Sequence, residues 1–205
     1  RAPKDIEKDL LKTQSKMLKQ VNGNYDSLEW YSSRFSKQMT TLISANPATM
    51  DYPFDLLLAT KKIQISQSQD GNLRIYSWDT ELGGSMHLYN NLYQYKSGSN
   101  VYTEIPKLQE GDASGFFSEI HKVNSQSGSY YLGIKNGIYS AKDASQSVKA
   151  FAIQNSKLID AVTLFKTKNE NLNEIVCDFD FFSVVDHPER PLQLIRYDKE
   201  KQMLY

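Results

Sequence analysis

Apolar residues at helical spacing begin the chain. Ile6, Leu10, Met17 and Val21 are separated by polar residues. This spacing predicts a first helix, which ends at the Asn-Gly-Asn turn at 22–24.

A second helix is predicted directly after this turn. Asp26 stands three residues before Glu29, as in a capping box, and Asn46-Pro47 ends the pattern. The apolar stripe consists of Leu28, Tyr31, Phe35, Met39 and Leu42. Pro53 is predicted to begin one more short helix, so the helical part covers residues 4–58.

From residue 61 onwards the pattern alternates with a period of two. KKIQISQ and LRIYSW lie on either side of QDGN, and Asp-Gly between alternating runs is a strong hairpin signal. The run HLYNNLYQYKSGSNVYTEI repeats this arrangement around KSGSN. About ten short strands are predicted over 61–205. Short turns between consecutive strands favour antiparallel pairing, because parallel pairs need long crossover connections.

Helices followed by strands indicate an α+β fold. We expect a single domain over 1–205, in which the N-terminal helical pair packs on a large, curved antiparallel β-sheet or open barrel. A propeller-like β-sheet is the alternative, because DGNLRIYSWDTELGG at 70–84 ends a strand in Trp-Asp, as WD-type repeats do. Similar runs at 138–143 and 181–186 do not keep the repeat of about 40 to 45 residues that this alternative needs.

The same stretch has a simpler interpretation as two strands and a tight connection. Asp79 and Thr80 offer side-chain oxygens to the turn backbone, and Gly83-Gly84 permits positive φ angles. Aromatic residues such as Trp78 are common in strands because they pack well on a half-buried pleated surface.

Composition and charge narrow the classes of partner. The chain is 40% hydrophobic and 12% aromatic, with 24 Lys+Arg against 24 Asp+Glu. This composition is typical of a globular protein. Neutrality argues against nucleic acid as the main partner, although it allows a local basic patch. No run of 18 apolar residues occurs, so no transmembrane segment is predicted.

Motifs for metals, cofactors and nucleophilic catalysis are missing from the sequence. His87, His121 and His187 lie far apart and form no metal-binding spacing. The sequence has no GxSxG elbow, phosphate loop or dinucleotide fingerprint. We therefore predict no metal site and no cofactor. Cys177, the single cysteine, is expected to be a small buried hydrophobe in a strand.

Three carboxylates are candidates for catalysis. Asp178 and Asp180 are two apart on a presumed strand, so they face the same side about 7 Å from each other. With Asp79 they could serve a glycosidase-like hydrolase, which needs paired carboxylates. The alternative is a polar face at a sheet edge.

Aromatic residues suggest a ligand-binding surface instead. Tyr89, Tyr93 and Tyr95 share one parity along a presumed strand, and tyrosine is favoured at binding surfaces. Together with Trp78 and Asp79 they would suit a carbohydrate, a peptide or a cell-wall fragment. The alternative is that the rings are buried and only their hydroxyls reach the rim.

The run at 70–84, with FFSVVD and RPLQLIRYD downstream, resembles a family of exported bacterial proteins of unknown function. The resemblance implies a secreted or periplasmic location and supplies no catalytic residues. The chain starts at Arg1, which is typical of a removed leader. PLQLIRYDKEKQMLY reads as strand, charged turn and strand, so further residues are expected after Tyr205.

From the sequence, the expected function is therefore exported, non-enzymatic binding of an unknown protein, peptide or carbohydrate ligand. The alternative is a hydrolase that uses paired carboxylates.

Overall fold

The computed structural model describes residues 1–107, 114–180, 182 and 193–205. The predicted helical pair is confirmed as α1, Pro3–Leu18, and α2, Tyr25–Ser44. A 3-10 helix, Pro47–Asp51, and a short helix α3, Asp55–Leu58, follow.

The start of α2 differs in detail from the prediction. Asn24 has extended backbone angles, and its side chain accepts a hydrogen bond from the Ser27 backbone N–H at 2.8 Å. Asn24 is therefore the N-cap. The capping box proposed for Asp26 and Glu29 was wrong, because both residues already lie inside the helix.

A buried carboxylate joins α1 to α3. Glu7 is 1% exposed, and its Oε1 accepts hydrogen bonds from the backbone N–H groups of Leu56 and Leu57 at 2.8 and 3.1 Å. Its Oε2 accepts the Tyr52 hydroxyl at 2.8 Å. An acidic side chain satisfies the N–H groups that a helix leaves free at its start, so Glu7 fixes α3 against the helical pair.

The strands fall into two larger sheets, and every described pair is antiparallel. The first sheet has the order β1-β2-β3-β4 and the second the order β11-β7-β6-β5. The first consists of β1 (Ile63–Gln67), β2 (Leu73–Asp79), β3 (Tyr89–Ser97) and β4 (Asn100–Glu104). The second consists of β5 (Phe116–Ser125), β6 (Gly128–Ile138), β7 (Asp143–Gln154) and β11 (Glu174–Asp180), with β8 (Lys157–Ile159) also paired to β7.

Two further hairpins complete the described strands. They are β9 (Phe165–Lys166) with β10 (Asn171–Leu172), and β12 (Tyr197–Asp198) with β13 (Met203–Leu204). The predicted strand, charged turn and strand at the end of the sequence is confirmed by the second of these hairpins.

The α+β class with an N-terminal helical pair is confirmed. The described strands form no closed barrel. They also form no propeller, since only two of their sheets exceed two strands and a propeller needs at least about four blades. Strand β6 pairs with β7 without a break from Tyr131 to Ile138, through Gly137.

Three apolar clusters show how the layers pack. Ile6, Leu10 and Phe35 of the helices pack on Tyr76 and Trp78 of the first sheet. The second cluster fills the space between the two sheets and contains Leu73, Ile75, Tyr93, Tyr95, Phe117, Ile120, Tyr131, Phe151 and Leu158. The third joins the outer side of the second sheet to the C-terminal hairpin and contains Leu132, Ile134, Val148, Ala150 and Ile195.

Strand β2 lies at the centre of this arrangement. All seven of its residues are buried, because the helices cover one face of the first sheet and the second sheet covers the other. Successive side chains of a strand point to opposite faces, so β2 serves both cores.

No helix in the described ranges is both long and apolar enough to cross a membrane.

Candidate functional site

The end of β2 separates two of the predicted ligand-binding residues. Trp78 belongs to the cluster under the helices, whereas Asp79 pairs across the strands with Tyr89 on the opposite face. Adjacent residues of a strand face opposite sides. Trp78 and Asp79 therefore cannot belong to one pocket.

Trp78 fixes α2 to the sheet. It is 3% exposed, its ring lies edge-to-face against Phe35 with centroids 6.1 Å apart, and its indole N–H donates to Ser36 Oγ at 3.1 Å. Trp78 also lines a pocket of about 210 Å³ between α2 and β3. This environment is that of a packing residue.

Tyr93 and Tyr95 are buried between the sheets, with 3% and 4% of their surface exposed. Tyr93 packs against Phe151 at 5.5 Å, and Tyr95 stacks on Tyr102 at the same centroid distance. The expected exposed row of tyrosines was wrong for these two residues, because the second sheet covers that face. Tyr95 fits the alternative, since its hydroxyl reaches outward to the Ser156 carbonyl at 3.4 Å.

Asp79 forms a compact pair with a histidine. Its Oδ2 lies 2.5 Å from His87 Nδ1, and its Oδ1 accepts the Glu81 backbone N–H at 2.9 Å. The loop 80–88 returns the chain so that the Thr80 N–H bonds to the Leu88 carbonyl. The backbone N–H of His87 donates to the Ile138 carbonyl at 3.0 Å, which ties the loop to the second sheet.

This loop matches the simpler interpretation of the stretch 70–84. Asp79 and Thr80 accept hydrogen bonds from backbone N–H groups two residues on, as expected. Gly84 has a positive φ of 63°. The other left-handed position is Glu81, with a φ of 62°, rather than Gly83.

Tyr89 extends the pair into a cluster of three. Its ring stacks on His87 with centroids 6.3 Å apart and contacts Phe116 at 5.3 Å. Burial raises the pKa of the Tyr89 hydroxyl well above its ordinary value, and the negative charges of Asp79 and Glu81 raise it further. A tyrosine hydroxyl is protonated at neutral pH, these effects keep the Tyr89 hydroxyl so at higher pH, and it can act as a donor.

These three side chains line a pocket of about 150 Å³, here called the His87 pocket. Its remaining lining residues are Lys61, Lys62, Ile63, Gln64, Ser77 and Phe116. Lys62 Nζ lies 2.7 Å from Glu81 Oε1. Because Asp79 engages one ring nitrogen of His87, the other nitrogen is left for a ligand.

Ser77 is not available as a nucleophile beside this histidine. Its hydroxyl donates to Asn91 Oδ1 at 2.6 Å and accepts the Phe117 backbone N–H at 3.1 Å. It is also 0% exposed. Ser77 therefore joins the first sheet to the second as a structural residue.

Asp178 and Asp180 lie on β11, at the end of the second sheet's strand order. Asp178 is exposed, and Asp180 lies 3.3 Å from Lys142 Nζ. Neither lines the His87 pocket, so they do not join Asp79 there. Cys177, directly before Asp178, is exposed, and its predicted burial was wrong because no described element covers this part of β11.

The other histidines do not join His87. His121 Nε2 lies 2.7 Å from Glu119 Oε2, and its ring contacts Tyr197 at 4.5 Å. His187 lies outside the described residues. Within the described residues, no group of three potential metal ligands comes together.

The sequence pattern did not identify His87 as a partner of Asp79. A signal was present, because both residues flank the turn after β2. Hairpin pairing brings the two ends of such a turn together.

Comparisons with known proteins identify no relative of this chain. No family model matches the chain, and neither the search of curated proteins nor that of solved structures finds a match. Of the runs that carry the resemblance to exported bacterial proteins, 181–186 lies outside the described residues apart from Phe182.

Proposed function

We propose that this chain is an exported, non-enzymatic binding protein whose ligand places a small polar group in the His87 pocket. The observation that carries the proposal is the Asp79–His87–Tyr89 cluster. It combines a carboxylate that orients an imidazole with a phenol that stays protonated.

The pocket presents both donors and acceptors of hydrogen bonds. Tyr89 contributes a hydroxyl and Gln64 an amide, whereas His87, whose Nδ1 faces the Asp79 carboxylate, offers Nε2 of the neutral ring as an acceptor. Carbohydrate hydroxyls and peptide amide groups meet such a mixed set well. The stacked rings of His87 and Tyr89 add an apolar surface, which sugars and peptides also use.

The size of the pocket fits binding of one group of a larger ligand. Its volume of about 150 Å³ is below the roughly 300 to 1,000 Å³ of pockets that enclose a whole small molecule. We infer that one sugar ring substituent or one peptide side chain enters, and that the rest of the ligand lies outside.

The hydrolase alternative has less support. Asp178 and Asp180 lie on a different sheet from Asp79, and Ser77 uses its hydroxyl in two structural hydrogen bonds. Secretion or periplasmic location is the part of the proposal that rests on the sequence resemblance, and fractionation of cells that express the full-length protein tests it.

Binding can be tested by following the ring resonances of His87 in NMR spectra. The probes are an N-acetylglucosamine trisaccharide, a soluble muramyl peptide and an unrelated tetrapeptide, each at millimolar concentration. We expect at least one to shift the His87 signals in a saturable way. We expect Tyr89→Phe to weaken that binding, because it removes a donor.

Tyr25→Phe is the matched control, because Tyr25 is 59% exposed on α2 and lies outside the pocket. It should bind as the wild type does. The proposal fails if no probe moves the His87 signals, or if products of the probes accumulate with time and disappear in a His87→Gln variant.

A further inference from the structure

A second surface lies on the outer side of the helical pair and shares no residue with the His87 pocket. We call it the helix groove and define it by Lys12, Lys16, Trp30, Arg34 and Lys37. Two adjoining cavities of about 320 and 330 Å³ make up the groove, and they share Asp9, Arg34 and Gln38.

The groove is strongly basic although the whole chain is neutral. All four of its Lys and Arg side chains are exposed. None of them lies within ion-pair distance of a carboxylate in the described part of the chain. Asp9, the acid that lines the groove, is engaged by Arg1. Unpaired cations at a concave surface attract anionic partners.

An exposed aromatic residue lies among these cations. Trp30 is 55% exposed, in contrast to the buried Trp78. Arg34 lies over its ring at 5.2 Å, and Tyr31 contacts it edge-to-face at 4.8 Å. Trp, Tyr and Arg are the residue types most enriched among the residues that dominate protein–protein binding energy.

The length of the groove suits a peptide segment. From Trp30 to Thr41 the helix rises roughly 16 Å, or three helical turns. Gln38 lines both cavities, and its Oε1 has no hydrogen-bond partner among the described residues. A peptide N–H could use this acceptor once the side chain turns towards the groove.

We propose that the helix groove binds an acidic peptide segment of a partner protein. Carboxylates of the segment pair with Lys12, Lys16 and Lys37, and one apolar side chain packs on Trp30. A lipid surface fits less well, because the apolar faces of α1 and α2 are already buried against the first sheet.

The test uses Trp30 as its own reporter. In a Trp78→Phe variant, Trp30 is the sole tryptophan of the chain. The probe is a synthetic 12-residue peptide with Glu at every fourth position and one Leu, and its control carries Gln in place of each Glu. We expect the Glu peptide to shift Trp30 emission to shorter wavelength in a saturable way. The Gln peptide should not do so.

Charge reversal in the groove should weaken this binding. We expect Lys12→Glu with Lys16→Glu to lower the affinity at least about tenfold, since the coupling energy of a close charge pair is large enough to change the affinity by this factor. The matched control is Lys166→Glu with Lys168→Glu, which changes the net charge equally at two exposed lysines away from the groove. It should lower the affinity far less.

The outcomes decide the proposal. It is overturned if Trp30 emission does not respond to the Glu peptide in folded protein, or if both double variants lose affinity equally. It is also overturned if vesicles containing phosphatidylglycerol bind and the peptide does not. Should Trp78→Phe fail to fold, the indole N–H resonance of Trp30 in the wild type gives the same readout.

Discussion

At the residue scale, Asp70 shows how one turn residue can connect two sheets. It lies in the β1–β2 turn, where it accepts hydrogen bonds from Ser68 and Asn72. It also accepts the Tyr131 hydroxyl at 3.0 Å and lies 3.1 Å from Lys122 Nζ, both on the second sheet. The sequence predicted the turn from Asp-Gly, but it did not predict these partners.

The charge state of Asp70 follows from the balance of its surroundings. Burial by itself raises the pKa of this carboxyl. The hydrogen bonds from Ser68, Asn72, Lys122 and Tyr131 outweigh burial and hold the pKa below its ordinary value of 3.8. Conversely, burial and the hydrogen bond to Asp70 raise the pKa of Tyr131 to about 12.

We expect Asp70→Asn to lower the free energy of unfolding by about 2 kcal/mol at pH 7, because hydrogen bonds to a charged group are lost. Since the folded-state pKa is depressed, the stabilisation is present at neutral pH. It is lost as pH falls through that folded-state pKa, below 3.8. Urea unfolding at several pH values measures the difference between variant and wild type, which should shrink in acid.

Asp51→Asn is the control for Asp70. The Asp51 side chain is 67% exposed in its pair with Lys96, and exposed pairs contribute about 0 to 1 kcal/mol. An equal loss in both variants would contradict the special role of Asp70.

At the element scale, β6 depends on a glycine at its centre. A Cβ atom on Gly133 would lie 2.9 Å from two ring atoms of Phe117 and 3.0 Å from Phe151. The flat backbone at Gly133 therefore lets both rings pack over the strand. Period-two alternation predicted strands here, but it gave no reason for the glycine.

We expect Gly133→Ala to destabilise the protein by about 1 to 3 kcal/mol, because the rings must move apart as in an overpacked core. Gly23→Ala is the matched control, since its Cβ would meet no atom closer than 3.4 Å. Thermal unfolding of the two variants measures the contrast. A neutral result at Gly133 would show that the second core is loosely packed.

At the scale of the whole molecule, β2 and β3 connect the helical core to the core between the sheets. Tyr76 and Leu92 pack beneath the helices, whereas Ile75 and Tyr93 face the second sheet. Two cores that share the same strands should unfold together. This reasoning supports the prediction of a single domain.

We expect one unfolding transition, with equal midpoints for Trp78 fluorescence in a Trp30→Phe variant and for far-UV circular dichroism. Phe151→Ala should lower both midpoints together, at a cost of about 3 to 5 kcal/mol. Val176→Ala, at a residue that is 53% exposed, should change little. If Phe151→Ala lowers the circular dichroism midpoint but leaves the Trp78 fluorescence midpoint unchanged, the single-domain prediction is contradicted.

Much of the architecture could be predicted because it depends on local pattern. Helical spacing located α1 and α2, and Asp-Gly located the first hairpin, since these signals act over a few residues. Short turns also fixed antiparallel pairing. The division of the strands into two sheets could not be read in this way, because one alternating strand looks the same in either sheet.

The candidate site was predicted less well, because local alternation does not show which strands cover one another. The pattern placed Trp78, Asp79 and Tyr89 near one turn, and Asp79 and Tyr89 do line one pocket. Tyr93 and Tyr95 have the same alternation, yet the second sheet buries them. Exposure depends on what covers a strand, and the covering strands begin more than ten residues further along the chain.

By itself, then, the sequence determined which segments are helices, which are strands and where the first turns fall, because hydrophobic period and turn chemistry are properties of neighbouring residues. Tertiary structure alone decided that the tyrosines of β3 divide between pocket and core, and that the helix groove collects cations of α1 and α2 that form no ion pair within the described residues. Those outcomes arise from contacts between distant segments, and such contacts leave little trace in local spacing.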